Sequence, residues 1–287
     1  MCTRSRHWYL IPYTAVNSLQ SQYSPHLFFS IKAVKSDSNA IIPFVVRTHW
    51  GYTQWSRLSF SFLAETSKTI EAGYYQIDTA TLSACFSGKE VVAFIPFNNQ
   101  NNVYSNALTF LNGFEISSVT TNTGSRTPYE VSVVVNSVSA QGITVMLQST
   151  SATQVHAIFV SYVAYAANVQ NMVAGTYIYD RYNPVNSLQF SPSADVRTNQ
   201  LAFHGLNSFI VRNSQSSFDL TTTFASGSLI FSSSSSLYYL SYSYFFLIGG
   251  PCGVCPGYPI NYNGTCVSTC PPNSYYNGIT CITCLPG

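Results

Sequence analysis

Apolar residues recur along this chain with a period of two. Val131, Val133 and Val135 fall on one side of that period, with Ser132 and Val134 on the other. Ile143, Val145 and Leu147 likewise alternate with Thr144, Met146 and Gln148. A strand turns successive side chains to opposite faces, so this period predicts half-buried strands. Clusters rich in Asn, Gly, Ser and Pro separate the runs, among them Asn98–Asn102 and Thr121–Ser125. Such residues favour turns. No segment carries the 3.6-residue period of an amphipathic helix. The stretch Leu237–Ile248 is apolar throughout apart from two serines and reads as a buried strand. It is shorter than the ~18 apolar residues that a membrane helix needs, so no membrane span is expected. The predicted class is all-β: tandem antiparallel β-sandwich domains plus a small disulfide-rich C-terminal module.

The chain also repeats itself. Ala72-Gly-Tyr-Tyr-Gln-Ile-Asp78 matches Ala174-Gly-Thr-Tyr-Ile-Tyr-Asp180. The same offset sets Ser59-Phe-Ser-Phe-Leu-Ala64 on Ser161-Tyr-Val-Ala-Tyr-Ala166, and Ser241-Tyr-Ser-Tyr-Phe-Phe246 is a third copy of that closing strand. These matches divide the chain into 1–66, 67–168, 169–250 and 251–287. The middle repeat predicts strands at Glu90–Phe97, Leu108–Ile116, Glu130–Asn136, Gly142–Leu147 and His156–Tyr165.

This order resembles the H-type lectin domain, a small six-stranded antiparallel sandwich. The resemblance lies in Val92-Ala-Phe94 with Phe97, in the hairpin Val135-Asn-Ser-Val-Ser-Ala-Gln-Gly-Ile-Thr-Val145, and in the closing strand Val160-Ser-Tyr-Val-Ala164. It implies an incomplete domain at 1–66, a full one at 67–168 and a shorter one at 169–250. Counterparts of Ala72–Asp78 and of the strand at Glu90–Phe97 are missing from the first repeat. Two expectations follow for that gap: an upstream segment supplies the strands, or a neighbouring chain donates them.

Composition changes at Gly249-Gly-Pro251. Residues 251–287 hold six of the eight cysteines and no Asp, Glu, Lys or Arg. The order Cys252-x2-Cys255-x10-Cys266-x3-Cys270-x10-Cys281-x2-Cys284 reads as a disulfide framework, with zinc ligation the lesser reading. The run resembles furin-like and growth-factor-receptor cysteine-rich repeats. That resemblance implies the pairs Cys252–Cys266 and Cys255–Cys270, and makes Cys281 and Cys284 the opening of a further module. Cys2 and Cys85 pair with each other or stay free. Asn263-Gly-Thr265 is an acceptor sequon for an N-glycan, and the run Ser232–Ser236 reads as a solvated loop. The cysteines point to an extracellular or cell-surface location. The first residues lack the apolar core of a signal peptide, so a longer secreted precursor is expected.

Charge narrows the function. The 287 residues include 12 Lys plus Arg and 10 Asp plus Glu, a net charge of +2, and charged residues make up 8% of the chain. An average domain has about 25%. So few cations cannot build a nucleic-acid face. A surface this poor in charge needs glycans or partners to stay dispersed. His7, His26, His49, His156 and His204 show no metal-ligand spacing, there is no Gly-x-Ser-x-Gly turn, and the acids form no favoured pair. No enzyme activity, metal or cofactor is expected. A sugar site needs an aromatic platform beside polar groups. The best candidate is Thr48-His-Trp-Gly-Tyr-Thr-Gln-Trp55. By resemblance to H-type lectins, His49 and Trp50 are sugar-contacting residues with Tyr52 alongside; the other reading makes Trp50 and Trp55 packing residues. The expected function is an extracellular structural protein whose lectin-like sandwiches self-assemble into a surface coat or filament, partnered by copies of itself. The alternative is a secreted or surface lectin that binds glycans.

Overall fold

The computed structural model describes residues 13–22, 26–33, 44–48, 55–63, 69–78, 87–98, 103–118, 128–151, 153–167, 169, 172–191, 201–212, 217–225 and 228–247. Beyond these it describes four three-residue strands between 260 and 283. Among the described residues every regular element is a strand, and every strand pairing is antiparallel. The all-β class and the sandwich arrangement hold, and each strand predicted for the middle repeat is present.

The smaller layer runs β3 (Phe44–Thr48), β2 (His26–Ala33), β7 (Asn106–Ser118), β10 (Thr153–Tyr165), β5 (Ile70–Asp78). The larger sheet runs β4 (Trp55–Leu63), β1 (Tyr13–Gln22), β13 (Ser217–Ala225), β14 (Ser228–Leu247), β12 (Leu201–Arg212), β8 (Pro128–Val138), β9 (Gly142–Gln148), β6 (Glu90–Pro96), with β11 (Met172–Phe190) on the free side of β14. Strands therefore hydrogen-bond across the boundaries drawn from the repeats. Leu19 of β1 faces Leu220 of β13, Phe29 of β2 faces Phe114 of β7, and Val131 of β8 faces Phe209 of β12.

β14 turns a corner. Phe231 and Tyr242 belong to this one strand, and an extended strand at about 3.3 Å per residue would hold them roughly 36 Å apart. Their rings instead lie 4.8 Å apart, edge to face. β11 bends with it, its pairing interrupted between Asp180 and Val185, so that Phe190 reaches Tyr244 at 5.6 Å and Tyr177 stacks on Phe231 at 5.8 Å. The bend falls at the serine run. Ser232–Ser236, expected as a loop, lies inside β14: Ser233 is buried and Ser232 Oγ meets Thr221 Oγ1 on β13. A strand that passes from one packed layer to the next does so through a bend of this kind.

The core explains how so few charges suffice. Among the described residues, eight phenylalanines and three tyrosines are essentially inaccessible to water. Burying each such side chain contributes about 1.5–3 kcal/mol. Between the layers runs one polar chain: Thr109 Oγ1 donates to Asn207 Oδ1 (3.1 Å), Asn207 Nδ2 to Ser243 Oγ (3.4 Å), and Ser243 Oγ meets Thr176 Oγ1 (3.2 Å). Each buried polar atom in it has a partner, as a low-dielectric interior requires.

The sequence repeat has a structural meaning. β5 flanks β10 as β11 flanks β14. Gly73 lies opposite Tyr162 and Gly175 opposite Tyr244. A Cβ on Gly73 would come within 2.1 Å of the Tyr162 ring, and one on Gly175 within 2.6 Å of Tyr244 Oη. In both copies glycine leaves room for a tyrosine to lie across the neighbouring strand. The register corrects the match of the closing strands by one pleat: Tyr162 corresponds to Tyr244, where the sequence alignment set it on Tyr242.

Candidate functional site: an open sheet edge

The larger sheet folds over at β14, and its outer part forms a six-stranded layer. That layer runs from the first half of β11 through β14, β12, β8 and β9 to β6. Among the described residues no strand pairs with the outer side of β6 or of β11. Open edges present unpaired N–H and C=O groups, and they are the usual seat of strand addition.

β6 shows which groups are offered. The Phe97 N–H donates to Gln141 O at 2.9 Å. Backbone groups alternate in direction along an antiparallel strand. Val91, Ala93 and Ile95 therefore turn their N–H and C=O toward β9, while Glu90, Val92 and Phe94 turn theirs to the open side; the Pro96 carbonyl on that side meets the Tyr162 hydroxyl at 3.4 Å. Pro96 thus lacks an N–H only where no ladder bond needs it. The side chains alternate as well. Ala93, Ile95 and Phe97 are buried, but Val92 is 61% exposed and Phe94 47% exposed. Val92 continues an apolar row, facing Met146 of β9, which faces Val134 of β8.

Both ends of β6 are fixed. At the first, Gly88 adopts a positive φ of 59° and donates its N–H to Thr150 O at 3.0 Å. Ser87 Oγ donates to Ser151 O at 3.0 Å, and Gln148 Nε2 to Glu90 Oε1 at 2.6 Å. At the second, the Tyr162 ring lies over Gly73 and reaches the carboxylate of Glu71, on the same face of β5. Glu71 is 4% exposed. Its Oε1 accepts the Tyr162 hydroxyl and the Asn98 N–H, each at 2.7 Å, and its Oε2 accepts the Tyr104 hydroxyl at 3.4 Å. The Tyr162 hydroxyl also lies 3.4 Å from Pro96 O. Phe97 packs on Tyr104 and Tyr162 around this group, at ring distances of 5.0 and 5.9 Å. Charge-assisted hydrogen bonds are the strong ones, and here they clamp the chain leaving β6. The repeat counterpart of Glu71 is Val173, so the second copy has the glycine and the tyrosine without the acid.

Glu71 is the residue that sequence reading missed. Its one signal is an acid inside a run that the structure buries, Ile70-Glu-Ala-Gly73. With donors on both oxygens, the carboxylate serves to hold chain segments together. Two described histidines are also engaged. His156 Nε2 lies 2.9 Å from Ser117 Oγ, and His204 Nδ1 lies 2.7 Å from the Tyr242 hydroxyl. Burial lowers the His204 pKa to about 4. The ring is then neutral at pH 7, and its tautomer sets which of Nδ1 and the Tyr242 hydroxyl donates. Among the described residues no three His, Cys, Asp or Glu groups converge as a metal site would require, and no helix is long and apolar enough to cross a membrane.

The sequence-predicted sugar residues His49, Trp50 and Tyr52 lie outside the described residues. In sequence they fall between β3 and β4, which are edge strands of different sheets. Cys252, Cys255, Cys270 and Asn263 also lie outside, and the pairs Cys252–Cys266 and Cys255–Cys270 with them. The tail contributes two hairpins, β15 (Ile260–Tyr262) with β16 (Thr265–Val267), and β17 (Ser274–Tyr276) with β18 (Cys281–Thr283). Compared with protein-family models, curated proteins and solved structures, the chain gave no match.

Proposed function

We propose that this chain is an extracellular structural protein whose sandwich self-assembles into a cell-surface coat or filament. The observation that carries this reading is the six-stranded layer with no further strand at either margin among the described residues, and with exposed apolar side chains at each. Val92 and Phe94 stand at the β6 margin, and Ile178 of β11 is 57% exposed at the other. A layer with two open margins that pair between copies propagates without closing. The scarcity of charge supports the reading, because soluble proteins protect open edges with charged side chains. The cysteine framework and the Asn263 sequon support the extracellular setting. The resemblance to H-type lectins adds a second reading, a lectin using His49, Trp50 and Tyr52.

Sedimentation velocity of the full chain over a wide concentration range, with electron microscopy of the same samples, tests the reading. Species that grow with concentration and form ribbons or sheets are expected. A monomer at every concentration refutes it. Retention on a glycan surface that is lost in Trp50→Ala would then favour the lectin.

A further inference from the structure

The geometry points to a specific partner for the β6 edge: β6 of a second copy, paired antiparallel about a two-fold axis at Ala93. This rests on the self-assembly reading and names its first contact. The outward backbone groups of Val92 and Phe94 are correctly placed to exchange both hydrogen bonds with Phe94 and Val92 of the second copy. The Glu90 N–H then stands opposite the Pro96 carbonyl, whose first partner is the Tyr162 hydroxyl at 3.4 Å, so the rim pair is the weaker one and the central pairs carry the contact. On the outer face each Val92 stands across from a Phe94, extending the row of Val134 and Met146 through the junction. Ala93 meets Ala93 on the inner face, where a small residue suits close approach.

Charge fixes the direction and the register. Lys89 and Glu90 stand at one end of the strand, and the next charged residue along the chain is Glu115. Parallel pairing would set Lys89 beside Lys89 and Glu90 beside Glu90, like charges directly opposed. Antiparallel pairing sends them to opposite ends. Sliding two residues one way brings Glu90 against Phe94, and sliding the other way brings Pro96 against Val92 and loses a central bond. The strand is thus complementary to itself in one alignment, which is what a two-fold contact demands. Clamping of both ends of β6 leaves little ordering entropy to be lost on pairing.

The test uses the full chain and two variants. Val92→Lys changes an exposed side chain and leaves the ladder to β9 intact. It brings two charges into the apolar row of each dimer, so the dissociation constant is expected to rise roughly 100-fold. In Ala93→Cys the paired Cα atoms stand about 4.5 Å apart, within disulfide reach. Mild oxidation is expected to give a dimer on a non-reducing gel, while unchanged chain and Val91→Cys, whose thiols lie several residues apart in this register, do not cross-link. If the unchanged chain assembles, Val92→Lys assembles equally well and Ala93→Cys stays uncross-linked, the β6 pairing is overturned while self-assembly stands through another surface. If the unchanged chain is monomeric throughout, both are overturned.

Discussion

Removal of the Tyr162 hydroxyl tests the clamp on β6. Tyr162→Phe keeps the ring over Gly73 and deletes a 2.7 Å hydrogen bond to the buried Glu71 carboxylate. A hydrogen bond to a charged group contributes about 1.5–3 kcal/mol, and loss of one donor leaves a buried carboxylate less well satisfied. The expected loss of stability is therefore about 2–3 kcal/mol. At roughly 2–4 °C per kcal/mol for a protein of this size, Tm falls by about 4–12 °C. Glu71→Gln removes the charge at constant volume and costs a similar amount. The double variant isolates the pair: the two losses overlap, with a coupling of about 1–2 kcal/mol. Tyr244→Phe is the control, because its ring lies over Gly175 beside Val173 and no carboxylate; it should cost under about 1 kcal/mol. Chemical denaturation of the unchanged chain and the four variants gives the free energies, and hydrogen exchange at Phe97 and Asn98 reports the clamp locally. Additive losses for Tyr162→Phe and Glu71→Gln would refute the coupling. So would equal losses for Tyr162→Phe and Tyr244→Phe.

Three further outcomes follow from the same geometry. Gly73→Ala pushes the Tyr162 ring off its neighbour strand and weakens its bond to Glu71; a loss of about 1–3 kcal/mol in thermal melts is expected, against a gain of about 0.5–1 kcal/mol if glycine there served only the strand backbone. Gly88→Ala places a side chain at a φ of 59°, at a cost of about 1–2 kcal/mol, and exchange should rise at the start of β6 rather than at its end. His204 is neutral in the folded chain and titrates near pH 4, against about 6.5 when unfolded. The unfolded chain therefore binds the extra proton between those values, and stability falls by up to about 3 kcal/mol as pH drops from 6.5 to 4, then levels off. Unfolding measured across this window should lose most of that slope in His204→Gln.

The period of two determined the class by itself. Alternation is a local property of strands, and Leu237–Ile248 showed by its apolar run that it would be buried. The repeat of Ala-Gly-x-Tyr was also legible, because each copy needs the same room beside a tyrosine. What the repeat could not say was which tyrosine. Tyr242 and Tyr244 stand on the same face of β14, and only the register against β11 singles out Tyr244. Sequence boundaries did not foretell that β1 would pair with β13 or β2 with β7, since strand partners far apart in the chain are chosen by the shared core. The corner in β14 was read as a serine loop for the same reason: a bent strand and a polar loop use similar residues, and only packing of Phe231 on Tyr242 tells them apart.

The candidate site divides along the same line. The sequence supplied the exposed residues Val92 and Phe94 as members of a strand, together with the scarcity of charge around them. It could not supply the edge. An edge is the absence of a neighbour, and neighbours are assigned by tertiary structure. Nor could it show Glu71 as a clamp, because an acid becomes one only when folding gathers Tyr162, Asn98 and Tyr104 around it from distant parts of the chain. Local periodicity follows from backbone geometry and is written residue by residue, whereas register, corners, edges and buried charge follow from the competition of all strands for one core.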